Sequence, residues 1–230
     1  MNLANRHQTV WLSVVAALAL SVFTKPSTAR AEPGFEAGAR LGYGIPMGEA
    51  VKNSDLSEGV SGQIPIWLDV GYRPFDALMI GLYFQYGIGF VDGGPAEVCD
   101  IDGVDCSASD IRLGIQAHYH ISPLEQLDPW LGLGIGYEWL GFSSEGGGFE
   151  ISSTTSGFEF LNLQAGLDIG VAEHVKVGPF LSFSLGQYDS VSFECDGLQP
   201  VCAMFGRDGD IEETAMHEWL VLGVCGAYVP

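Results

Sequence analysis

Beyond about residue 32 the chain alternates between apolar and polar or glycine positions with a period of two. Phe35, Ala37, Ala39, Leu41, Tyr43 and Ile45 take one face of the first segment, against Glu36, Gly38, Arg40, Gly42 and Gly44 on the other. The same pattern returns over residues 64–73, 78–88, 111–119, 131–139, 161–169, 175–185 and 219–228. Strict alternation is the signature of strands with one apolar face. Each segment has about ten residues, enough to cross a bilayer as a tilted strand.

A soluble sandwich also alternates, so the pattern alone does not choose between sandwich and membrane barrel. The connections do. Short ones (73–76, 122–129 and 172–174) alternate with long ones (46–62, 91–109, 142–157 and 189–215). Short periplasmic turns and long external loops produce this rhythm in outer-membrane barrels, and with both ends in the periplasm the strand count is even. The expected fold is therefore an all-β, eight-stranded, antiparallel up-and-down transmembrane β-barrel. Aromatic residues near the segment ends fit interfacial girdles: Tyr72, Tyr119, Trp130 and Tyr228 at one end, and Tyr43, Tyr86, Phe90, Tyr137, Trp139 and Phe183 at the other.

The first 31 residues stand apart. Arg6 precedes an apolar run from Val10 to Phe23, followed by Ala29-Arg30-Ala31, the layout of a cleaved secretory signal. The expected organisation is a signal peptide over 1–31 and a barrel domain over 32–230, placed in a bacterial outer membrane. All 29 acidic residues but only six of the nine basic ones follow residue 31. Such an acidic chain repels nucleic acid, which removes that partner class. Thirty-two glycines occur in a chain of positive mean hydropathy, a composition that does not fit disorder.

An eight-stranded barrel leaves an interior only wide enough for side chains. The inward positions include Glu36, Arg40, Asp69, Arg73, Arg112, His118, Glu138, Asp168 and Lys176. Unpaired buried charges are costly, so these nine are expected to form an internal ion-pair network that plugs the lumen. Inward glycines make room for longer neighbours. In the long connections Cys99 and Cys106 lie seven residues apart, as do Cys195 and Cys202. Export to an oxidising compartment favours two local disulfides, and leaves Cys225 as a buried thiol. Two acidic runs, Asp100-Ile-Asp102-Gly-Val-Asp105 and Asp208-Gly-Asp210-Ile-Glu212-Glu213, are oxygen-rich enough to consider Ca²⁺, although neither has EF-hand spacing. His120-Ile121-Ser122, with Glu125 nearby, is a His-x-Ser triplet beside the turn containing Pro123.

The whole chain after residue 31 resembles the small eight-stranded outer-membrane proteins of the OmpA, OmpX and OmpW type. The glycine-spaced strand Asp128-Pro-Trp-Leu-Gly-Leu-Gly-Ile-Gly-Tyr137 and the final strand His217-Glu-Trp-Leu-Val-Leu-Gly-Val-Cys-Gly-Ala-Tyr228 carry the resemblance. It implies a monomer surrounded by outer-membrane lipid and inserted by machinery that reads a terminal aromatic. This chain departs by ending Tyr228-Val229-Pro230. The expected role is structural, or display and binding through acidic external loops, with no cofactor, metal or catalytic set. The alternatives are a narrow channel for ions or small hydrophobic solutes, and a lipid-modifying enzyme. For the enzyme the triplet lies at the wrong, periplasmic end.

Overall fold

The computed structural model describes residues 34–92, 99, 103–146, 149–196 and 208–229. Eight long strands form the wall: β1 Gly34–Val51, β2 Val60–Phe75, β3 Leu78–Val91, β4 Val104–His120, β5 Leu127–Gly146, β6 Phe149–Ala172, β7 Val175–Asp196 and β8 Met216–Tyr228. Each pairs antiparallel with the next. The ring closes because β1 also pairs with β8, from Ala37 opposite Tyr228 to Gly48 opposite His217. A closed ring leaves no wall edge, which lets a sheet satisfy its backbone inside hydrocarbon. The protein is thus an eight-stranded antiparallel up-and-down transmembrane β-barrel.

The side chains divide as the alternation predicts. Leu68, Leu82, Ile115, Leu133 and Leu222 are each at least half exposed, whereas their neighbours Trp67, Tyr83, Gln116 and Val221 are buried. Outward apolar residues circle the wall as a lipid-facing band. Tyr72 meets Phe35 at one rim (5.6 Å between centroids), and Tyr43 meets Phe90 at the other (6.4 Å). Trp130 departs from expectation. It is 4 % exposed and points into the barrel, because it shares parity with the inward glycines of β5 rather than with Leu131 and Leu133.

The connections need a second correction. Tight turns at 76–77 and 173–174 and a longer one at 121–126 do lie at one end, together with Gly34 and Tyr228. At the other end the expected long loops are largely strand. β5 continues to Gly146 and β6 begins at Phe149, and residues 142–146 and 149–157 belong to the ladder, with Glu145 opposite Glu150. Residues 104–109 belong to β4 and 189–196 to β7. β6 has 24 residues and β7 has 22, against 13 in β8. At about 3.3 Å per residue the longest strand extends roughly 80 Å, far beyond the ~30 Å hydrocarbon core. Because the turns at the Gly34–Tyr228 end are short, the surplus projects at the opposite end, labelled outer, as a sheet of β4–β7.

Above the lipid band the side-chain chemistry inverts while the geometry continues. Ala108, Leu140 and Tyr188 point inward and are buried, while Ser107, Gly141 and Ser143 share the outward parity of Leu113 and Ile135. Leu56, on a one-turn 3-10 helix (Leu56–Glu58) between β1 and β2, inserts into this apolar end, 2 % exposed, and packs with Val60, Leu140, Tyr188 and Trp219. Within the band the interior mixes ion pairs with a cluster of Trp67, Trp130, Phe180 and Val221, whereas beyond it the interior is apolar around Leu56.

Cys99 and Cys106 form a disulfide with 5.7 Å between Cα atoms. Cys195 is also disulfide-bonded; Cys202, its expected partner, lies outside the described residues. Cys225 carries a free thiol. Alkylation of denatured, unreduced protein should therefore modify one cysteine, Cys225, by peptide mass mapping; three labelled cysteines would mean that one disulfide is missing. Residues 1–31 and Pro230 also lie outside the described residues.

Candidate functional site: a filled lumen with an apolar outer mouth

Of the nine predicted lumen residues, Glu36, Arg40, Arg73, Arg112, His118, Glu138 and Asp168 are buried and Asp69 and Lys176 are part-buried, and their contacts fall into three groups. In the middle, Arg40 of β1 meets Asp69 of β2 through two bonds, from Nε at 2.8 Å and Nη2 at 2.5 Å. This bidentate form gives a guanidinium–carboxylate pair both strength and direction. Arg40 also donates to Gln164 at 2.8 Å and to Gln116 at 3.0 Å, and its Cζ lies 4.0 Å from the Trp67 ring centroid. The two glutamines suit the site because each amide both donates and accepts. Gln116 donates to Asp69 and accepts from Gln164, and Gln164 meets the His118 ring at 2.9 Å.

Toward the end that carries Gly34 and Tyr228, Arg73 binds Glu36 and donates to the Asp76 carbonyl at 2.9 Å. Its Nη2 lies 3.0 Å from His120 Nε2, and His120 Nδ1 lies 2.8 Å from Asp128. Lys176 donates to the same carboxylate at 2.8 Å. Trp130 donates from its indole to Asp168 at 3.0 Å and stacks on His118 at 4.6 Å. Donor atoms of His120, Asp128 and Asp168 fall within 4.8 Å of one another, a spacing compatible with a metal. The Lys176 ammonium and the Arg73 guanidinium already supply positive charge there, so the arrangement is that of an ion-pair network.

The outer group is the most heavily charged. Arg112 of β4 meets three carboxylates: Asp110 at 3.0 Å, Glu159 at 3.2 Å and Glu138 at 3.3 Å. It also donates to Ser184 at 2.8 Å. All four charged residues are about 1 % exposed. Each carboxylate has further donors, as a buried charge requires. Asp110 accepts from Gln63 and Gln85, both at 2.8 Å. Glu159 accepts from Tyr83 and Asn162. Glu138 accepts from Tyr188 at 2.6 Å and Trp219 at 3.2 Å, and faces His217 at 3.1 Å.

Several of these residues were not singled out from the sequence. Asp110 and Tyr188 lie between an expected loop and the alternating residues counted beside it, and His217 opens the final strand two residues before its counted alternation. Glu159 sits beyond a β-bulge, where the register shifts between Glu159 and Leu161, so the period-two count begun at Leu161 does not reach it. Its signal was present: a lone Glu between Phe158 and Phe160, which both face lipid.

The His120-Ile121-Ser122 triplet is not assembled for nucleophilic catalysis. Such chemistry needs one imidazole nitrogen free for the hydroxyl. Here both are engaged, by Asp128 and Arg73, and the Ser122 backbone N–H donates to Asp128 at 3.0 Å. Of the acidic runs, Asp100 and Asp102 lie outside the described residues. In the second run Asp208 accepts from the Phe193 N–H at 2.8 Å and Glu213 pairs with Lys52 at 2.9 Å.

A closed eight-strand ring with lipid-facing apolar residues and a lumen crossed by ion pairs defines a small integral outer-membrane-type barrel. Solved structures share this fold. A major outer membrane protein from Thermus thermophilus matches at 14 % identity over 86 % of this chain and 99 % of that one, with a TM-score of 0.52. Neisserial surface protein A matches at 14 % identity over 86 % and 98 %, with a TM-score of 0.50. The outer membrane protein AlkL, determined in lipid bilayers, matches at 13 % identity over 90 % and 95 %, also at 0.50. No protein-family model and no curated protein matches the chain. At these identities the likeness establishes the fold.

Proposed function

We propose that the protein is a bacterial outer-membrane barrel, exported with loss of residues 1–31, that works by presenting its outer end to the surroundings and neither conducts nor catalyses. The observation that carries this reading is the combination of a stem filled with paired charge and a sheet raised well beyond the lipid band. A rigid scaffold holding exposed segments is where binding resides in many folds. The raised end is acidic: Asp55, Glu58, Glu145, Glu150, Asp189, Glu194 and Asp210 lie there, and Lys52 is the one basic residue among the described residues at that end. Outer-membrane lipid surrounds the band, and the insertion machinery would read Tyr228 where an aromatic terminus is usual.

The channel alternative requires a path past Arg112 and its three carboxylates and past Leu56, and the packing there weighs against it. The enzyme alternative is weakened by the two engaged nitrogens of His120. In the second acidic run Asp208 and Glu213 already serve protein contacts, so Ca²⁺ is expected to leave the melting temperature unchanged; a clear calcium-dependent rise would count for a metal site.

Display is tested by placing a short epitope between Gly146, the last residue of β5, and Phe149, the first of β6, in a Gram-negative host. Antibody should stain intact cells, and the protein should fractionate with the outer membrane and migrate faster on a denaturing gel before boiling than after. Staining only of permeabilised cells would reverse the orientation and remove the reading.

A further inference from the structure

The outer mouth holds a cavity of about 390 Å³ that the ion-pair network does not use. Its volume lies within the ~300–1,000 Å³ usual for small-molecule sites. Leu56 of the 3-10 turn, Leu140 and Phe142 of β5 and Tyr188 of β7 form its apolar walls, and Asp55 and Glu58 stand among its lining residues. No basic side chain lines it among the described residues, and neither carboxylate makes an ion pair among them. Lys52, next in sequence to the lining residue Val51, is held by Glu213 at 2.9 Å.

We infer that this cavity binds a small amphipathic amine, with its hydrocarbon part between Leu56, Leu140 and Phe142 and its ammonium at Asp55 and Glu58. The inference rests on the reading of the outer end as the working face, and adds to it a ligand class. Apolar walls make burial of hydrocarbon favourable. The two exposed carboxylates choose the sign of charge at the rim: a carboxylate ligand would meet like charge, and a neutral one would gain nothing from them. An exposed ion pair is modest, so the expected preference for amine over neutral ligand is roughly 2- to 5-fold. Tyr188 ties the site to the stem. It lines the cavity, its hydroxyl donates to Glu138 at 2.6 Å, and its ring stacks on His217 at 4.0 Å. The cavity wall is thereby fixed by the same network that closes the lumen.

The test uses three cage compounds of nearly equal shape: 1-aminoadamantane, 1-adamantanol and adamantane-1-carboxylate. Each is titrated by isothermal calorimetry into the full barrel in lipid nanodiscs, with empty nanodiscs subtracted. The amine should bind with a dissociation constant on the order of 1 mM or tighter, the alcohol several-fold more weakly and the carboxylate weakest. The exposed double variant Asp55→Asn/Glu58→Gln should bring the amine to the level of the alcohol and leave the alcohol unchanged. Ala50→Trp, at the cavity wall, should abolish all three while the heat-modifiable gel shift persists. Equal binding of the three compounds, no binding above empty nanodiscs, or an amine preference that survives in the double variant would each overturn the inference. Nanodisc binding does not depend on cellular orientation, so a failure here is distinct from a failure of surface staining.

Discussion

Replacing Arg112 by methionine is expected to cost at least about 3–5 kcal/mol of barrel stability, the range for removing one partner of a buried ion pair. The reason is arithmetic of charge. One guanidinium faces Asp110, Glu138 and Glu159, all within 3.3 Å and all about 1 % exposed. Methionine fills a similar volume but leaves three carboxylates together in a dry interior. Urea unfolding in lipid vesicles, followed by loss of the heat-modifiable band, measures the change. A shape-preserving rescue separates charge from packing: adding Asp110→Asn, Glu138→Gln and Glu159→Gln to the same variant should recover most of the loss, because a buried network can often be neutralised as a whole at little cost. A single variant as stable as the wild type would mean that the carboxylates are not held in the charged, paired form described above.

The second large effect concerns packing. The Tyr83 ring crosses the lumen side of Gly114 and Gly136 to reach Glu159, and a Cβ built on Gly114 would clash with the edge of that ring and with the Ile135 carbonyl. Gly114→Leu should therefore evict Tyr83. The expected loss is about 1–3 kcal/mol for overpacking and a similar amount for the hydrogen bond that Glu159 loses. Adding Tyr83→Ala should relieve the overpacking and return part of the stability, whereas Tyr83→Phe alone should cost only the hydrogen-bond share. If Gly114→Leu and wild type unfold at the same urea concentration, the close approach of ring and backbone is not a feature of the folded protein.

These two sites also show how much could be read before the structure. Arg112, Glu138 and Arg40 were recognisable because each occupies the non-apolar parity of a long alternating segment, and parity is a local property of strands. The closed ring of eight followed from the same pattern plus the rhythm of connections. Pairing was not legible: Arg112 and Glu159 are 47 residues apart in sequence, and which inward carboxylate reaches which base depends on register and on tilt. Glu159 was hidden by a bulge that shifts the phase. Asp110, Tyr188 and His217 lie just outside the counted alternation for a different reason. Above the lipid band the inward face becomes apolar and the outward face polar, so the contrast fades there, and Ala108 and Phe142 read as loop. Trp130 was placed by its position near a strand end, where aromatics often face the interface, although its parity pointed inward. The apolar mouth around Leu56 left no sequence signal, since it depends on a three-residue turn folding back between β1 and β2.

The central claim is that the barrel spans the membrane with a closed lumen. Purified protein reconstituted in planar lipid bilayers tests it most directly, with the Arg112→Met variant recorded alongside. The wild type should give no steady openings at either polarity, because paired charge crosses the stem. Reproducible, long-lived conductance steps from the folded, heat-modifiable wild-type protein would contradict the account.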